Sequence, residues 1–265
     1  MRNIFTIAGK DLKSFFSTSH AWVLLLLFTL ITGWVFSHDI LNYQRYTMEF
    51  LQNKELESYG LGKVIQPPNI HWVLGGMLIF VGVFFLFLMP LITMRLFAEE
   101  KKIGTLEMLF SKPVRLYEVI LGKFLASVTL LSLFLLFSAI LASILWIVSD
   151  PKPSIAPFFI GYLGLFLLGS VFLALGLFIT ASTSKQIVAA SSAFGLALFL
   201  FLLQSLARQS GQFWNPILSY ISVISHMDSF ASGVLDTRDL FYFVSMIFLG
   251  LFLTAHSLKS QGWRS

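Results

Sequence analysis

The residues that could do chemistry are few and scattered along the chain. Three Gly-Lys pairs occur, but each lacks the upstream glycine and the following hydroxyl residue of a phosphate-binding loop: Gly9-Lys10, Gly62-Lys63 and Gly122-Lys123. The five histidines lie near predicted membrane edges, and no H-E-x-x-H or G-x-S-x-G motif occurs. Cysteine is absent, which excludes thiol catalysis and cysteine zinc sites. The sequence therefore predicts no catalytic residue and no metal site.

Charged side chains are concentrated in the segment from Arg95 to Lys123, between two apolar stretches. A helix over residues 99–110 would place four apolar residues near one face, namely Ile103, Leu106, Leu109 and Phe110. Its charged residues lie mostly elsewhere: Glu99, Glu100, Lys101, Lys102 and Glu107. Pro113 ends this piece, because proline cannot extend a helix and moves its predecessor out of the α region. The segment is either a solvated turn or a docking element, a short helix over 103–110 that another protein grips.

The composition places these residues in a membrane protein. The chain has 265 residues, of which 57% are hydrophobic and 12% charged, and its mean hydropathy is +0.82. A soluble domain is usually about 25% charged. These values exclude a disordered chain and an ordinary soluble enzyme, and the lack of cysteine excludes a disulfide scaffold. The expected fold is an all-α polytopic membrane protein with one transmembrane domain over residues 1–265.

Uncharged stretches long enough to cross a bilayer predict six spans. They cover about residues 21–37, 72–95, 121–148, 158–180, 186–207 and 239–258. Residues 209–227 are uncharged but carry Trp, Asn, Pro and His, so this stretch is interfacial or re-entrant, with a seventh span as the alternative.

The first twenty residues predict an amphipathic helix in the membrane interface. Its apolar face holds Ile4, Phe5, Ala8, Leu12, Phe15 and Phe16. Arg2, Lys10, Asp11 and Lys13 are expected to avoid that face. The alternative is a short helix packed on the protein itself.

The distribution of Lys and Arg predicts the orientation. With six spans both termini share one side, and that side carries twelve of the 18 basic residues: Arg2, Lys10, Lys13, Arg95, Lys101, Lys102, Lys112, Arg115, Lys123, Lys185, Lys259 and Arg264. The other side carries Arg45, Lys54, Lys63, Lys152, Arg208 and Arg238. The positive-inside rule therefore predicts cytoplasmic termini.

Charge at membrane depth is missing from the predicted spans. Residues 124–149 and 186–207 are uncharged, and the other spans carry charge only near their ends. Ion-coupled transporters usually need a titrating group at that depth, so energy for any transport should come from elsewhere. Small residues in the fourth and fifth spans predict close helix packing: Gly161, Gly164, Gly169, Gly176, Ser191 and Gly195.

One run in the charged segment resembles a known family, the membrane subunits of type-2 ABC exporters. It reads E-E-K-K-x-G-T-L-E-x-L-x-S-x-P-V, at Glu99, Glu100, Lys101, Lys102, Gly104, Thr105, Leu106, Glu107, Leu109, Ser111, Pro113 and Val114. Residues 220–242 also resemble the outside loop before the last span of gliding-motility-type permeases. The family likewise has six spans and an amphipathic helix before the first.

The resemblance implies a function and a docking site. The chain would form half of a translocation path, and the segment 95–120 would hold a coupling helix that contacts a separate ATPase. The implied docking residues are Glu99, Glu100, Lys101, Ile103, Gly104, Thr105, Leu106, Glu107, Leu109, Phe110 and Pro113. The alternative function is a membrane scaffold that transports nothing.

The resemblance also implies partners and a location. The expected partners are a cytoplasmic ABC ATPase, a second permease copy or a related permease, the lipid bilayer and an auxiliary periplasmic or membrane subunit. No nucleic acid is expected. ATP and Mg would bind the ATPase, so the chain itself would hold no cofactor and would not be an enzyme. The expected location is the cytoplasmic membrane, with both termini in the cytoplasm.

Overall fold

The computed structural model describes residues 2–58, 71–104, 115–148, 154–209, 211 and 213–262. Ten helices and no strand occur in these ranges: α1 (Arg2–Ser17), α2 (Ser19–Ser58), α3 (His71–Thr93), α4 (Ala98–Ile103), α5 (Leu116–Val148), α6 (Ile155–Ser182), α7 (Gln186–Gln209), α8 (Asn215–Ile221), α9 (Val223–Ala231) and α10 (Thr237–Gly262). Six of them, α2, α3, α5, α6, α7 and α10, are long and apolar enough to cross a membrane. The predicted all-α polytopic fold is confirmed.

Helix α2 is much longer than the predicted first span of 21–37. It runs for 40 residues without interruption, about 60 Å at 1.5 Å per residue, against a hydrocarbon core of about 30 Å. The predicted span implied that the helix ends near residue 37, whereas it continues to Ser58. The prediction placed the end of the helix where the apolar residues end, but polar side chains do not end a helix. Neither glycine nor proline occurs from residue 34 to 58.

Helix α6 lies at the centre of the bundle and packs against α3, α5, α7, α9 and α10. Glycines make these approaches close. A Cβ added at Gly164 would lie 2.5 Å from Phe230 Cβ, and one at Gly176 would lie 2.5 Å from Thr93 Oγ1. Gly161 and Gly169 likewise face Leu78 and Leu131. The helix is thus enclosed by neighbours along most of its length.

Two short helices, α8 and α9, occupy the stretch between the last two spans. With 7 and 9 residues they are too short to cross a bilayer, so a seventh span over 209–227 is wrong. Helix α9 buries Val223, Met227 and Phe230 against the bundle, and Gly233, in the left-handed region at φ 76°, turns the chain toward α10. Helix α9 therefore packs on the bundle, and Gly233 beyond it lies against Pro157, in the first turn of α6.

The two ends of the bundle are formed by different elements. The end that holds α1, α4, the start of α5 and the end of α6 is called the terminal face. There Leu96, Phe97, Ile120 and Leu177 share one buried cluster. The opposite end, the distal face, holds the middle of α2, the start of α3 and helices α8 and α9.

Candidate functional site

Helix α4 carries the first part of the predicted docking segment. It ends at Ile103, because Gly104 adopts the left-handed conformation at φ 74° and caps it. The prediction of one helix from 99 to 110 is therefore wrong at this point, and a helix cannot begin at Ile103. Six predicted docking residues lie outside the described residues: Thr105, Leu106, Glu107, Leu109, Phe110 and Pro113.

Helix α4 is joined to the bundle by an ionic cluster, formed by Lys10, Asp11, Glu100 and Lys123. The Lys123 side chain is only 2% exposed, and its Nζ lies 2.9 Å from Glu100 Oε2 and 3.3 Å from Asp11 Oδ2. Lys10 Nζ lies 3.6 Å from the other Glu100 oxygen, at the solvent edge. Lys123 also stands 5.1 Å from the centre of the Phe97 ring, a cation–π distance. One buried ammonium thus holds carboxylates from α1 and α4 against α5.

Burial sets the protonation behaviour of the cluster. It raises the pKa of Asp11, because the carboxylate loses hydration, while the positive charge of Lys123 opposes that rise and the negative charge of Glu100 adds to it. With all four groups ionised the cluster is neutral, since two carboxylates face two ammonium groups. This balance makes the cluster sensitive to the loss of any one of its buried charges.

Helix α1 packs along α5 over the same region. A Cβ added at Gly122 would lie 2.9 Å from Ile7 Cβ, so only glycine allows this approach. Asn3 Nδ2 donates to Glu118 Oε2 at 3.2 Å, and the same oxygen accepts the Arg115 backbone N–H at 3.1 Å. Helix α1 is therefore packed on the protein, the alternative to a purely interfacial helix, although Phe5 stays 66% exposed.

Lys101 adds a connection from α4 to the end of α6. Its Nζ donates to the backbone carbonyl of Ala181. Burial lowers the pKa of Lys101, because the ammonium loses hydration there. Glu100 and Lys101 were both predicted to face a partner protein, whereas the structure turns both inward. Any force applied to α4 therefore reaches α1, α5 and α6.

Sequence reasoning missed Lys10, Asp11 and Lys123 as members of this site. Asp11 was expected to avoid the apolar face of α1, yet it is 8% exposed. The signal was present, because Asp11 lies four residues from both Ile7 and Phe15 and so shares the helix face that packs inward. A carboxylate on that face needs a buried cation, and Lys123 in the first turns of α5 supplies it.

The other predicted packing residues separate into two groups. The four glycines of α6 touch neighbouring helices, as described above. Ser191 and Gly195 instead lie on the exposed side of α7, and nothing lies within 4 Å of a Cβ built at Gly195. Within one chain, Gly195 therefore makes no close approach to another helix.

A second polar cluster lies on the distal face, where α9 meets α10. His226 Nδ1 lies 2.7 Å from Asp239 Oδ1, and Nε2 lies 2.9 Å from the Tyr220 carbonyl oxygen. The ring stacks on Tyr242 at 3.9 Å, and the Tyr242 hydroxyl donates to the Ile221 carbonyl at 2.6 Å. Both partners of the ring, a carboxylate and a backbone carbonyl, are hydrogen-bond acceptors. The cluster fastens the α8–α9 pair to the last span.

These features define the structural class of the chain. The described part of the chain is a helical membrane bundle without a metal-binding group of His, Asp or Glu residues, and its main ionic site links a peripheral helix to the bundle. The family described as ABC-2 family transporter protein matches residues 5–259, so the chain belongs to that family. It is a permease component of an ABC transporter. Members of this permease family are normally non-catalytic subunits that work with a separate ABC ATPase. A search of curated proteins gives no match.

Proposed function

We propose that the chain forms half of the translocation path of an ATP-driven exporter in the cytoplasmic membrane, with both termini in the cytoplasm. The segment 95–120 would be gripped by the ATPase, which holds the ATP and Mg. The observation that carries the proposal is the ionic cluster, because Glu100 lies 2.9 Å from Lys123 at the start of α5. A pull on α4 is thereby passed to a span without a flexible link.

A second permease copy, or a related permease, completes the proposed path. Six spans are half of a twelve-helix pore. The exposed side of α7, with Ser191 and Gly195, offers small residues over which another helix can approach closely. The likeness of residues 220–242 to gliding-motility-type permeases supports an auxiliary subunit on the distal side.

The docking assignment is tested by charge reversal at Glu107. Glu107→Lys is expected to reduce the ATPase that co-purifies with the permease at least fivefold, because a charge-assisted contact is replaced by repulsion. Glu100 is unsuitable for this test, since its reversal would place a second cation beside the buried Lys123 and disturb the bundle itself. Glu49→Lys, on the exposed part of α2, is the matched control. Wild-type co-purification of the Glu107 variant would contradict the assignment.

Energy coupling is tested with the reconstituted complex. ATP hydrolysis by the ATPase is expected to change when the permease is added, and to persist when ionophores collapse proton and sodium gradients. The physical reason is that residues 124–149 and 186–207 carry no charge that could bind an ion at depth. An ATPase that binds the permease but hydrolyses at an unchanged rate would favour the scaffold alternative. Loss of hydrolysis on collapse of the gradients would contradict the proposal.

The orientation is tested with single cysteines in this cysteine-free chain. Leu56 is 48% exposed on the distal part of α2, and Lys185 is exposed in the turn before α7. Leu56→Cys is expected to react in intact cells with a thiol reagent that does not cross membranes. Lys185→Cys should react only after permeabilisation, and the reverse pattern would contradict cytoplasmic termini.

A further inference from the structure

An apolar crevice of about 290 Å³ opens on the terminal face, between the first span and the rest of the bundle. The end of α1 covers it with Phe15 and Phe16, and Leu24 of α2 forms one wall. Leu91 of α3, with Leu130 and Phe134 of α5, forms the opposite wall. From Ser19 to Leu25 the crevice follows α2 for about 9 Å, at 1.5 Å per residue. The crevice is thus a slot beside the start of α2, lined also by the ends of α1 and α3 and by α5.

Neighbouring residues mark the depth of the opening. Trp22 is 58% exposed, its ring lies 5.5 Å from that of Phe16, and its indole N–H donates to the Phe16 carbonyl at 3.0 Å. Exposed tryptophans whose indole N–H donates a hydrogen bond are common at the level of lipid headgroups. The amphipathic helix α1 belongs at the same level. The mouth of the crevice therefore faces headgroups and its floor faces acyl chains.

Arg95 supplies charge at that mouth. It lines the crevice just beyond the end of α3 and is half-buried. No ion pair or hydrogen bond connects its guanidinium to another part of the described chain, whereas Lys123 and Lys10 on the same face have carboxylate partners. A half-buried guanidinium favours a bidentate anionic partner, and a phosphate has that geometry.

We propose that this crevice is a binding site for an anionic phospholipid. One acyl chain would fill the slot between α2 and α5, and the headgroup phosphate would pair with Arg95. The apolar walls match an alkyl chain, and the cation stands where the headgroup of that chain would emerge. An anionic headgroup is preferred over a zwitterionic one because exposed Lys13 on α1 adds positive potential at the same level. The site concerns the membrane around the permease, so it does not depend on the exporter proposal.

The test compares two lipids with identical acyl chains, phosphatidylglycerol and phosphatidylcholine, added to delipidated wild-type protein and counted by native mass spectrometry. One phosphatidylglycerol per chain should be retained, and phosphatidylcholine should be retained less. Arg95→Gln should lower phosphatidylglycerol retention roughly fivefold to tenfold, since a cation at the membrane surface contributes about that factor. Lys54→Gln, which removes one exposed charge from the distal part of α2, should leave retention unchanged. Equal retention of the two lipids, or no difference between the variants, would overturn the proposal.

A second measurement locates the acyl chain. Phosphatidylglycerol with a photoreactive group on its acyl chain should label peptides that contain Leu24 or Leu130. Leu24→Trp, which fills the slot, should abolish that labelling while size-exclusion chromatography shows an unchanged particle. Labelling spread evenly over the exposed faces of the spans would overturn the site. A covalent link between two protein chains at these residues, with no lipid label, would show that a second copy occupies the crevice and would also overturn it.

Discussion

Lys123→Ala is expected to lower the free energy of unfolding by about 3–5 kcal/mol, measured by SDS titration in mixed micelles. Lys123 is 2% exposed and is the buried cation between Asp11 and Glu100. Its removal leaves the Asp11 and Glu100 carboxylates, whose side chains are only 10% and 18% exposed, facing each other. Breaking a buried ionic group costs much more than the group contributes when intact, because the remaining charges lose both partner and hydration.

The dependence of this loss on pH separates lost charge from lost packing. Burial already raises the pKa of Asp11, and Lys123 opposes that rise, so removing Lys123 should raise it further. The folded variant then binds more protons than the unfolded chain as the pH falls through the raised pKa. Stability therefore rises as the pH falls, and the deficit of Lys123→Ala should shrink at acidic pH. A deficit that is constant with pH would indicate that only packing was lost.

Two further variants serve as controls for the ionic cluster. Lys13→Ala removes an exposed lysine from α1 and should change stability by no more than about 0.5 kcal/mol. The triple variant Asp11→Asn, Glu100→Gln, Lys123→Met removes all the buried charges together and should be more stable than Lys123→Ala, since it leaves no buried charge without a partner. A triple variant as unstable as the single one would contradict the electrostatic explanation.

The spans were predictable because their signal is local. An apolar stretch of about 20 residues is stable in a bilayer as a helix that crosses it, so the start of α7 at Gln186 follows from composition. The end of α2 did not follow, because composition tells where a helix leaves the hydrocarbon and not where it ends. The next glycines and prolines, Gly60, Gly62, Pro67 and Pro68, lie beyond the described part of α2.

The ionic cluster was not predictable in the same way, because its contacts are long-range. Lys123 and Asp11 are 112 residues apart, and a single sequence contains no signal of that pairing. The charged motif indicated the right segment, since Glu100 belongs to it. It did not indicate direction, because a charged side chain on a six-residue helix can face a partner or the bundle equally well by periodicity. Burial of Lys123 decided the direction.

Helix packing was likewise predicted for α6 and overlooked for its main neighbour, α10. Clustered glycines made the packing of α6 predictable. Helix α10, by contrast, contains one glycine, Gly250, apart from its last residue. The structure places Gly250 against the backbone of Ala174. A lone glycine at a helix crossing leaves no pattern in the sequence, although it determines how closely the two helices approach.

Gly250→Ala is expected to lower the free energy of unfolding by about 1–3 kcal/mol, the usual cost of inserting a methyl group into a filled contact. The new Cβ would lie 2.8 Å from the carbonyl carbon of Ala174, 2.9 Å from its Cβ and 3.0 Å from its oxygen. Backbone atoms cannot rotate away as a side chain does, so α10 must move off α6. Gly195→Ala is the matched control, since nothing lies within 4 Å of the added atom and alanine favours the helix. SDS titration of both variants should show a loss for Gly250→Ala alone. Equal stability of the two would mean that α6 and α10 are not held together through this crossing, because the same methyl group would then be tolerated in contact with backbone and in open space.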